Sequence, residues 1–327
     1  MNRIYGNSMK SFSGLKLVKS VDSWPNPRLE SAEYKRWMGD YYYFMIQGYS
    51  KPFGYMHKSI LQGLNLSSSW QIDKEQRTLT MVSSKSTTFK GRTEVMREAL
   101  QQAVKEGKAT SPQRFYDEPL RVVSSEGEHV LDMDRSGLDP FGVISFSAHM
   151  IGFVNDGNSI KYWVPKRSPT KPTVPNKLDS TVAGVVRSSE RPIDCMVRKI
   201  AAEASLPAEY TKANIVSCGT ISYQMSITST GNPGCQHITS YLYEMEFKEG
   251  VAPQPGNDEV GTFTLMTQED VMTALENGDF VANRAMVWLA YFIRHGILTL
   301  DNEPDFVEIC RRLHKEHDMF IVEDLNG

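Results

Sequence analysis

Charged residues recur at fixed intervals between Gly184 and Leu206, in the segment GVVRSSERPIDCMVRKIAAEASL. Lys199 and Glu203 stand four positions apart, so on a helix they lie on one face, a turn apart. A helix face with several carboxylates can hold Mg2+ against a phosphate, because Mg2+ prefers oxygen ligands in near-octahedral geometry. In this segment an ammonium group stands beside the carboxylate of Glu203. The segment therefore has the outline of a phosphate-processing site with an altered charge.

The intervals resemble those of the Nudix box, G-x5-E-x7-R-E-U-x-E-E-x-G-U, where U is apolar. The matching residues are Gly184, Glu190, Arg198, Ile200, Glu203 and Leu206. The flanking segments WVPKRSPTKPTVPNKLDSTVAGVV, NDEVGTFTLMTQEDV and FIRHGILTLDNEPDF are similar to the thiamine-pyrophosphokinase-related family of fungal and plant Nudix hydrolases, and FMIQGYSKPFGYMHKSIL is similar to that family's amino-terminal domain. This resemblance implies a Nudix α/β/α sandwich and Mg2+-dependent hydrolysis of diphosphate compounds, including thiamine diphosphate and its damaged forms.

The departures from the family's motif fall where its chemistry would take place. Val185 and Ser189 replace glycines, and Lys199 and Ala202 replace glutamates. An ammonium about 4 Å from a cation repels it by about 4 kcal/mol per unit charge at an effective dielectric of about 20, and twice that for a dication. We therefore expect no bound metal and no cofactor. Glu190 and Glu259 leave open a weaker metal site that compensates for the lost carboxylates.

Two residues outside the box also carry candidate chemistry. His149 is a lone histidine in an apolar strand, where it is either a core residue or a proton donor. Tyr41 begins an aromatic run, YYYF, that either packs a hairpin or lines a pocket. The candidate catalytic residues are Lys199, Arg198, Glu203, His149 and Tyr41. For Arg198, a structural ion pair with Glu203 or Glu190 is an equal alternative.

The composition favours a globular protein whose partner is a small molecule or another protein. The chain has 327 residues and a net charge of -3, which gives no electrostatic reason to expect nucleic acid or an anionic membrane as partner. The four cysteines have neither zinc-site nor disulfide-framework spacing, and no segment has the length of a membrane span. We expect a cytoplasmic protein; its oligomeric state is left open.

Local patterns predict two domains of the α/β class. Residues 1–125 form a smaller α+β domain with an aromatic hairpin at 41–56 and an amphipathic helix that stops at Gly107. Residues 126–327 form the Nudix-like sandwich, with a strand at 181–186, a helix at 192–205 and further strands and helices up to residue 294.

Together these features predict a Nudix fold that has lost diphosphate hydrolysis and kept its cleft. The predicted activity is a metal-independent intramolecular cyclisation, a Diels–Alder cycloaddition or an isomerisation, of an apolar molecule in fungal terpenoid or polyketide biosynthesis. Such a step needs a shaped pocket and a donor that polarises a carbonyl. The alternatives are a Mg2+-dependent hydrolase of thiamine diphosphate-like compounds and a non-catalytic ligand-binding protein.

Overall fold

The computed structural model describes residues 13–82, 84–108, 112–157, 159–171, 173–227 and 234–320. Its helices are α1 (Gly14–Val21), α2 (Ser31–Met38), α3 (Lys58–Gly63), α4 (Phe89–Glu106), α5 (Leu138–Phe141), α6 (Pro192–Ala204), α7 (Ala208–Asn214), α8 (Gln268–Glu276), α9 (Arg284–Arg294) and α10 (Phe306–Leu313). Its strands are β1 (Tyr41–Ile46), β2 (Gly54–His57), β3 (Trp70–Asp73), β4 (Thr78–Met81), β5 (Pro119–Val123), β6 (His129–Asp134), β7 (Ile144–Asn155), β8 (Ile160–Arg167), β9 (Val182–Val185), β10 (Ile215–Ser226), β11 (Cys235–Glu246) and β12 (Val260–Thr267).

A six-stranded mixed sheet forms the centre of the larger unit. Its strands follow the order β10, β11, β7, β8 and β12, and β9 pairs with the first half of β7. The β11–β7 pair is parallel, and the other pairs of this sheet are antiparallel. The long strand β7 thus pairs with β11 on one side and with β9 and then β8 on the other.

Helices cover both faces of this sheet. Successive side chains of a strand point to opposite faces, so Met150 of β7 packs with α6 while Ile151 packs with α1, α8, α9 and α10. On the second face, α9 is buried along almost its whole length and places Trp288 and Tyr291 against Tyr162 of β8. The predicted α/β class, with an α/β/α sandwich beside a smaller α+β unit, is confirmed.

The smaller unit is built on a four-stranded sheet with the order β2, β1, β4, β3. The predicted aromatic hairpin is confirmed, with Tyr43 of β1 opposite Tyr55 of β2. The predicted amphipathic helix is α4, and it ends at Gly107, whose left-handed φ of 61° is one that glycine adopts without strain. Helix α4 and this sheet share one apolar core with β6.

The proposed division at residue 125 falls in the turn between β5 and β6. These strands pair with each other as a separate hairpin, and β6 packs against α4 of the smaller unit. The division into residues 1–125 and 126–327 stays a prediction.

Several elements were not predicted from the sequence, including α1, α2, β3, β4 and α10. Within the ranges that the structure describes, no helix combines the length and apolar character that a bilayer crossing requires. Residues 1–12 lie outside those ranges.

Close backbone packing at Gly142 joins the smaller unit to the large sheet. Gly142 has a φ of 57°, and a Cβ there would lie 2.3 Å from Cys235 Sγ and 2.5 Å from the Tyr55 carbonyl oxygen. We expect Gly142→Ala to lower the free energy of unfolding by about 3 kcal/mol or more, from left-handed backbone strain plus overpacking. Urea unfolding followed by tryptophan fluorescence measures this change.

The matched control is Gly127→Ala. Gly127 also has a positive φ, 82°, but a Cβ there meets nothing within 4 Å. Strain alone predicts a loss of about 1–2 kcal/mol for this variant. Equal losses in the two variants would contradict the packing assigned to Gly142.

Candidate functional site

Helix α6 carries the central part of the box and is fixed by its apolar face. Pro192 occupies the first turn, where its missing N–H costs no helical hydrogen bond, and Ser205 ends the helix with a φ of 56°. The buried apolar residues of the helix are Cys195, Met196, Ile200 and Ala204, which pack against β7, β9 and β11.

Ile193, Val197 and Ile200 recur at spacings of four and three, which predicts that they form one buried apolar stripe along α6. This prediction is wrong in part. Ile200 is fully buried and Ile193 packs at the edge of the core, but Val197 is only half-buried and is not part of that core. The sulfur-containing side chains of Cys195 and Met196 take the central positions instead. Because Cys195 and Met196 face the core, Arg198 and Lys199 lie on the partly buried side of the helix.

Arg198 forms a two-point ion pair with Glu190. Its Nε and one terminal nitrogen lie 2.5 Å and 2.8 Å from the two carboxylate oxygens. Burial acts to raise the pKa of Glu190, but the hydrogen bonds from Arg198 and from the Arg187 backbone, together with the charges of these two arginines, lower that pKa on balance. Arg121 of β5 donates to the Ser188 and Glu190 carbonyl oxygens at 2.6 Å and 3.1 Å. Of the two structural pairs predicted for Arg198, the Glu190 pair is the one that forms.

Lys199 lies between two carboxylates. Its Nζ forms a salt bridge with Glu203 Oε1 and lies 3.5 Å from Glu259 Oε2. The same Glu259 oxygen accepts from Lys171 Nζ at 2.9 Å. The side chains of Lys199 and Glu203 are 16% and 7% exposed, so this pair is largely withdrawn from water. Two lysines and two glutamates therefore form a chain of charges with no net charge.

The electrostatics of these four residues favour the ionised forms of Lys199 and Glu259, whereas burial raises the pKa of Glu203 in spite of the neighbouring Lys199. Burial acts to lower the pKa of Lys199, but the Glu203 carboxylate, followed by Glu259, raises it on balance. Burial acts to raise the pKa of Glu259, but the hydrogen bond from Lys171 and the charge of Lys199 lower it to about 2. At neutral pH Lys199 thus carries the positive charge that faces both carboxylates.

Gly184 is required by the aliphatic stem of Lys199. A Cβ at this position would lie 2.6 Å from Lys199 Cγ and 3.0 Å from Cys195 Sγ. Gly184 therefore leaves space for the side chain of Lys199, which stands where the family's motif has a glutamate.

The residues present do not fit a Mg2+ site. Mg2+ needs several oxygen ligands free to approach it, whereas Glu203 and Glu259 are bound by Lys199 and Lys171, and Glu190 is bound by Arg198. In the part of the chain that the structure describes, no group of three or more His, Cys, Asp or Glu residues is arranged to hold a metal ion.

His149 lies away from the box, in a buried polar layer. Its Nδ1 lies 3.1 Å from Ser180 Oγ and its Nε2 lies 3.3 Å from Ser147 Oγ. Burial, followed by the charge of Arg284, lowers the pKa of His149 to about 3. It is a neutral, hydrogen-bonded core histidine, and Ile151, two positions along β7, belongs to the core under α9.

Tyr41 belongs to an aromatic cluster at the junction of the two units. Its ring contacts Trp24 at a centroid distance of 4.9 Å and His57 at 5.1 Å. It lies in a core that also holds Tyr55 and Met319, whereas α6 belongs to a different core.

The structure thus brings Lys199 and Glu203 together with Glu259, places Arg198 beside them on Glu190, and separates His149 and Tyr41. The sequence interpretation missed Arg121 as a residue that holds the box loop. Lys171 lies in the loop KRSPTKPTVPNKLD, whose prolines and lysines predict either a phosphate contact or a solvated side chain, not an ion pair with Glu259. No local pattern signals either role, because each partner lies on a distant element.

Comparisons with known proteins support a relationship to Nudix hydrolases. The chain is 26% identical over 328 residues to the uncharacterized protein YJR142W of Saccharomyces cerevisiae, covering 96% of this chain and 94% of that one. It is 25% identical over 183 residues to chloroplastic Nudix hydrolase 24 of Arabidopsis thaliana and 24% identical over 185 residues to chloroplastic Nudix hydrolase 20, and it spans about half of each. No family model matches the chain.

Solved structures show a weaker similarity. DR0079 from Deinococcus radiodurans matches 61% of this chain and 100% of its own with a TM-score of 0.39 and 19% identity. The NUDIX domain of Shewanella oneidensis NrtR, complexed with ADP ribose, matches 48% of this chain and 91% of its own with a TM-score of 0.36 and 14% identity. The chain is similar in sequence to two plant Nudix hydrolases over about half of its length.

The Lys199–Glu203 pair gives a direct stability prediction. Lys199→Met leaves the buried Glu203 charge uncompensated, so we expect the free energy of unfolding to fall by about 3–5 kcal/mol. The double variant Lys199→Met with Glu203→Leu removes both charges and should recover most of that loss. Urea unfolding measures both.

The control for this prediction is Lys212→Met, which breaks an exposed pair with Glu209. Those side chains are 58% and 88% exposed, so the expected change is below about 1 kcal/mol. If Lys199→Met is no more destabilising than the control, the charge of Lys199 does not stabilise the buried carboxylate of Glu203.

The buried His149 predicts a pH dependence of stability. Its pKa is about 3 in the folded protein and about 6.5 when unfolded, so between these values the unfolded chain binds a proton that the folded protein does not. Stability therefore falls as pH is lowered through this window. We expect His149→Gln to reduce the slope of unfolding free energy against pH by about 1.4 kcal/mol per unit between about pH 4 and 6.

The control is His314→Gln at an exposed position. This variant should keep the slope of the native protein in the same unfolding titrations. If the slope of His149→Gln also equals the native slope, His149 is not held in its neutral form.

Proposed function

We propose that the protein is a Nudix-like protein that works without a divalent metal. One observation carries the proposal: the ammonium group of Lys199 contacts the carboxylates of Glu203 and Glu259. In a working box, those carboxylates would be available to Mg2+. In this chain a covalently attached cation neutralises them permanently.

The charge balance of the site also disfavours the binding of a diphosphate. A diphosphate carries at least two negative charges, which a hydrolase stabilises with metal ions and with lysines or arginines free to bind it. Here Lys171, Lys199 and Arg198 are each bound to a glutamate of the chain. An incoming diphosphate meets a site of no net charge and must break existing ion pairs. We therefore propose that diphosphate hydrolysis has been lost.

The activity that remains compatible with such a site needs neither metal nor phosphate. We propose a cyclisation or isomerisation of an apolar small molecule in the cytoplasm, with Lys199 or Arg198 as the polarising donor and Glu203 as the partner that orients Lys199. Metal independence supports this reaction class, because orientation and one hydrogen-bond donor can supply several kcal/mol of a barrier. The product would be an isomer of the substrate, so a chromatographic shift at unchanged mass would distinguish turnover from binding alone.

We expect the purified protein not to hydrolyse thiamine diphosphate, ADP-ribose or nucleoside diphosphates above background with Mg2+ or Mn2+. Chromatography that separates the monophosphate products from the diphosphate substrates measures this. Metal-dependent hydrolysis that disappears in Glu203→Gln would contradict the proposal.

A restoration variant tests why the activity is absent. Lys199→Glu with Ala202→Glu rebuilds a carboxylate cluster around Glu203, and we expect calorimetry to detect Mg2+ binding while diphosphate hydrolysis stays absent. Lys212→Glu with Ala201→Glu changes the net charge by the same amount at exposed positions and should bind no Mg2+. If the restoration variant binds no more Mg2+ than this control, positions 199, 202 and 203 do not form a metal-binding face.

A further inference from the structure

Strand β12 forms one edge of the six-stranded sheet. It pairs with β8 on its inner side, and in the part of the chain that the structure describes no strand pairs with its outer side. Five of its eight residues are exposed, namely Gly261, Thr262, Thr264, Leu265 and Thr267. The outer side of an edge strand presents N–H and C=O groups to which another strand can add.

The backbone groups of Phe263 and Leu265 point away from β8. Phe263 lies opposite Pro165, which has no N–H and whose carbonyl oxygen accepts from a backbone N–H on the other side of β8. Leu265 lies opposite Trp163, whose carbonyl oxygen accepts from the Thr181 hydroxyl. In an antiparallel ladder, pairs of this kind exchange no hydrogen bonds with each other. The N–H and C=O groups of Phe263 and Leu265 therefore face the outer side of the strand.

The strand has few of the features that protect an edge from pairing. Protected edges commonly carry lysines, prolines or bulges. From Val260 to Thr267 there is no charged residue and no proline, and the one irregularity lies at the start of the strand, between Val260 and Thr262. Leu265 is 39% exposed and lies on the same face as Phe263, which packs at the edge of the core under α6. The edge is therefore uncharged and partly apolar.

We propose that β12 pairs in the antiparallel direction with β12 of a second copy of this chain, across a two-fold axis at Thr264. In this register Phe263 lies opposite Leu265 of the partner subunit, and Thr264 lies opposite Thr264 of the partner subunit. Each Phe263–Leu265 pair exchanges two backbone hydrogen bonds, because both residues direct their backbone groups outward. Apolar side chains then cover one another on one face, and two threonines, which are favourable cross-strand neighbours, meet on the other.

The distribution of charge favours a second copy over a segment of another protein. An identical strand brings no charge to the paired stretch, so no like charges meet there although the chain has a net charge of -3. The strand also offers no charge that would select a charged segment. The nearest acidic residues along the chain lie beyond its ends: Glu259 is already bound by Lys171 and lies near Lys199, and Glu269 belongs to α8.

The extent of the paired stretch predicts a weak dimer. Residues 262–266 span about 17 Å at about 3.4 Å per residue. One pair of short strands buries less than the roughly 800 Å2 per partner of a standard interface, so the association should depend strongly on concentration. The proposal goes beyond the function proposed for the box, and its test does not rest on that function, because the oligomeric state is measured without a substrate.

Sedimentation velocity over a wide range of protein concentration tests the association. We expect the native protein to shift from monomer to dimer as its concentration rises. Thr264→Lys places two ammonium groups opposite each other at the two-fold axis and should raise the dissociation constant at least about tenfold. Thr273→Lys, at an exposed position of α8, changes the net charge equally and should leave the constant unchanged. A native protein that stays monomeric at every concentration, or a Thr264→Lys variant that dimerises as well as the native protein, would overturn the proposal.

Cysteine cross-linking tests the position of the axis. Opposite residues of a pair that exchanges no hydrogen bonds have Cα atoms about 4.5 Å apart, which a disulfide can span. We expect Thr264→Cys to form a covalent dimer under mild oxidation. Thr262→Cys is the matched control on the same face of the strand; it would lie opposite Met266 of the partner subunit, too far from its own copy to cross-link, and should yield no more covalent dimer than the native protein. Cross-linking of Thr262→Cys equal to that of Thr264→Cys would overturn the axis at Thr264.

Discussion

The position of the Lys199 ammonium group constrains the rest of the box. It forms a salt bridge with Glu203 and lies 3.5 Å from Glu259 Oε2, which also accepts a hydrogen bond from Lys171. A dication could occupy the same place only if Lys199 withdrew and left two carboxylates to be shared. Because Lys199 and Glu203 are largely buried, withdrawal would also separate a desolvated ion pair. The same lysine dictates a glycine at position 184, because its stem leaves no space for a Cβ there.

Apolar packing and arginine ion pairs hold the box in place. Helix α6 is anchored by its apolar face on the sheet, and the loop before it is bound by Arg198 and Arg121 through Glu190. The β5–β6 hairpin reinforces this loop, since the Ser188 N–H donates to the Pro119 carbonyl oxygen at 3.0 Å and the Ser188 hydroxyl bonds to Asp132. Packing and ion pairs thus hold the segment from Gly184 to Leu206 against the sheet and the β5–β6 hairpin.

The sequence predicted what depends on neighbours along the chain. The hairpin of β1 and β2, the stop of α4 at Gly107 and the proximity of Lys199 to Glu203 all follow from local spacing. The buried face of α6 was predicted less well. Both Val197 and the pair Cys195 and Met196 are apolar enough for the core, and only the contact of the helix with the sheet determines which of them are buried.

Contacts between distant segments could not be predicted in this way. Lys171 meets Glu259 from a position 88 residues away, and Trp24 meets Asp318 from 294 residues away. Only the pairing of β10 with β11 and the docking of the carboxyl-terminal turn bring Gln224, His237 and Asp318 together. His149 and Tyr41 were considered together with the box because each stands in a suggestive local context, but the fold places them in other parts of the core.

The central claim is that Lys199 occupies the place a metal ion would need between Glu203 and Glu259. The most direct measurement is paramagnetic broadening of backbone amide resonances during a titration with Mn2+, which is confined to residues close to a bound ion. The account predicts no saturable broadening of the amides of residues 199–203 and 259 in the native protein. Saturable broadening at those amides, reversed by Mg2+, would contradict it.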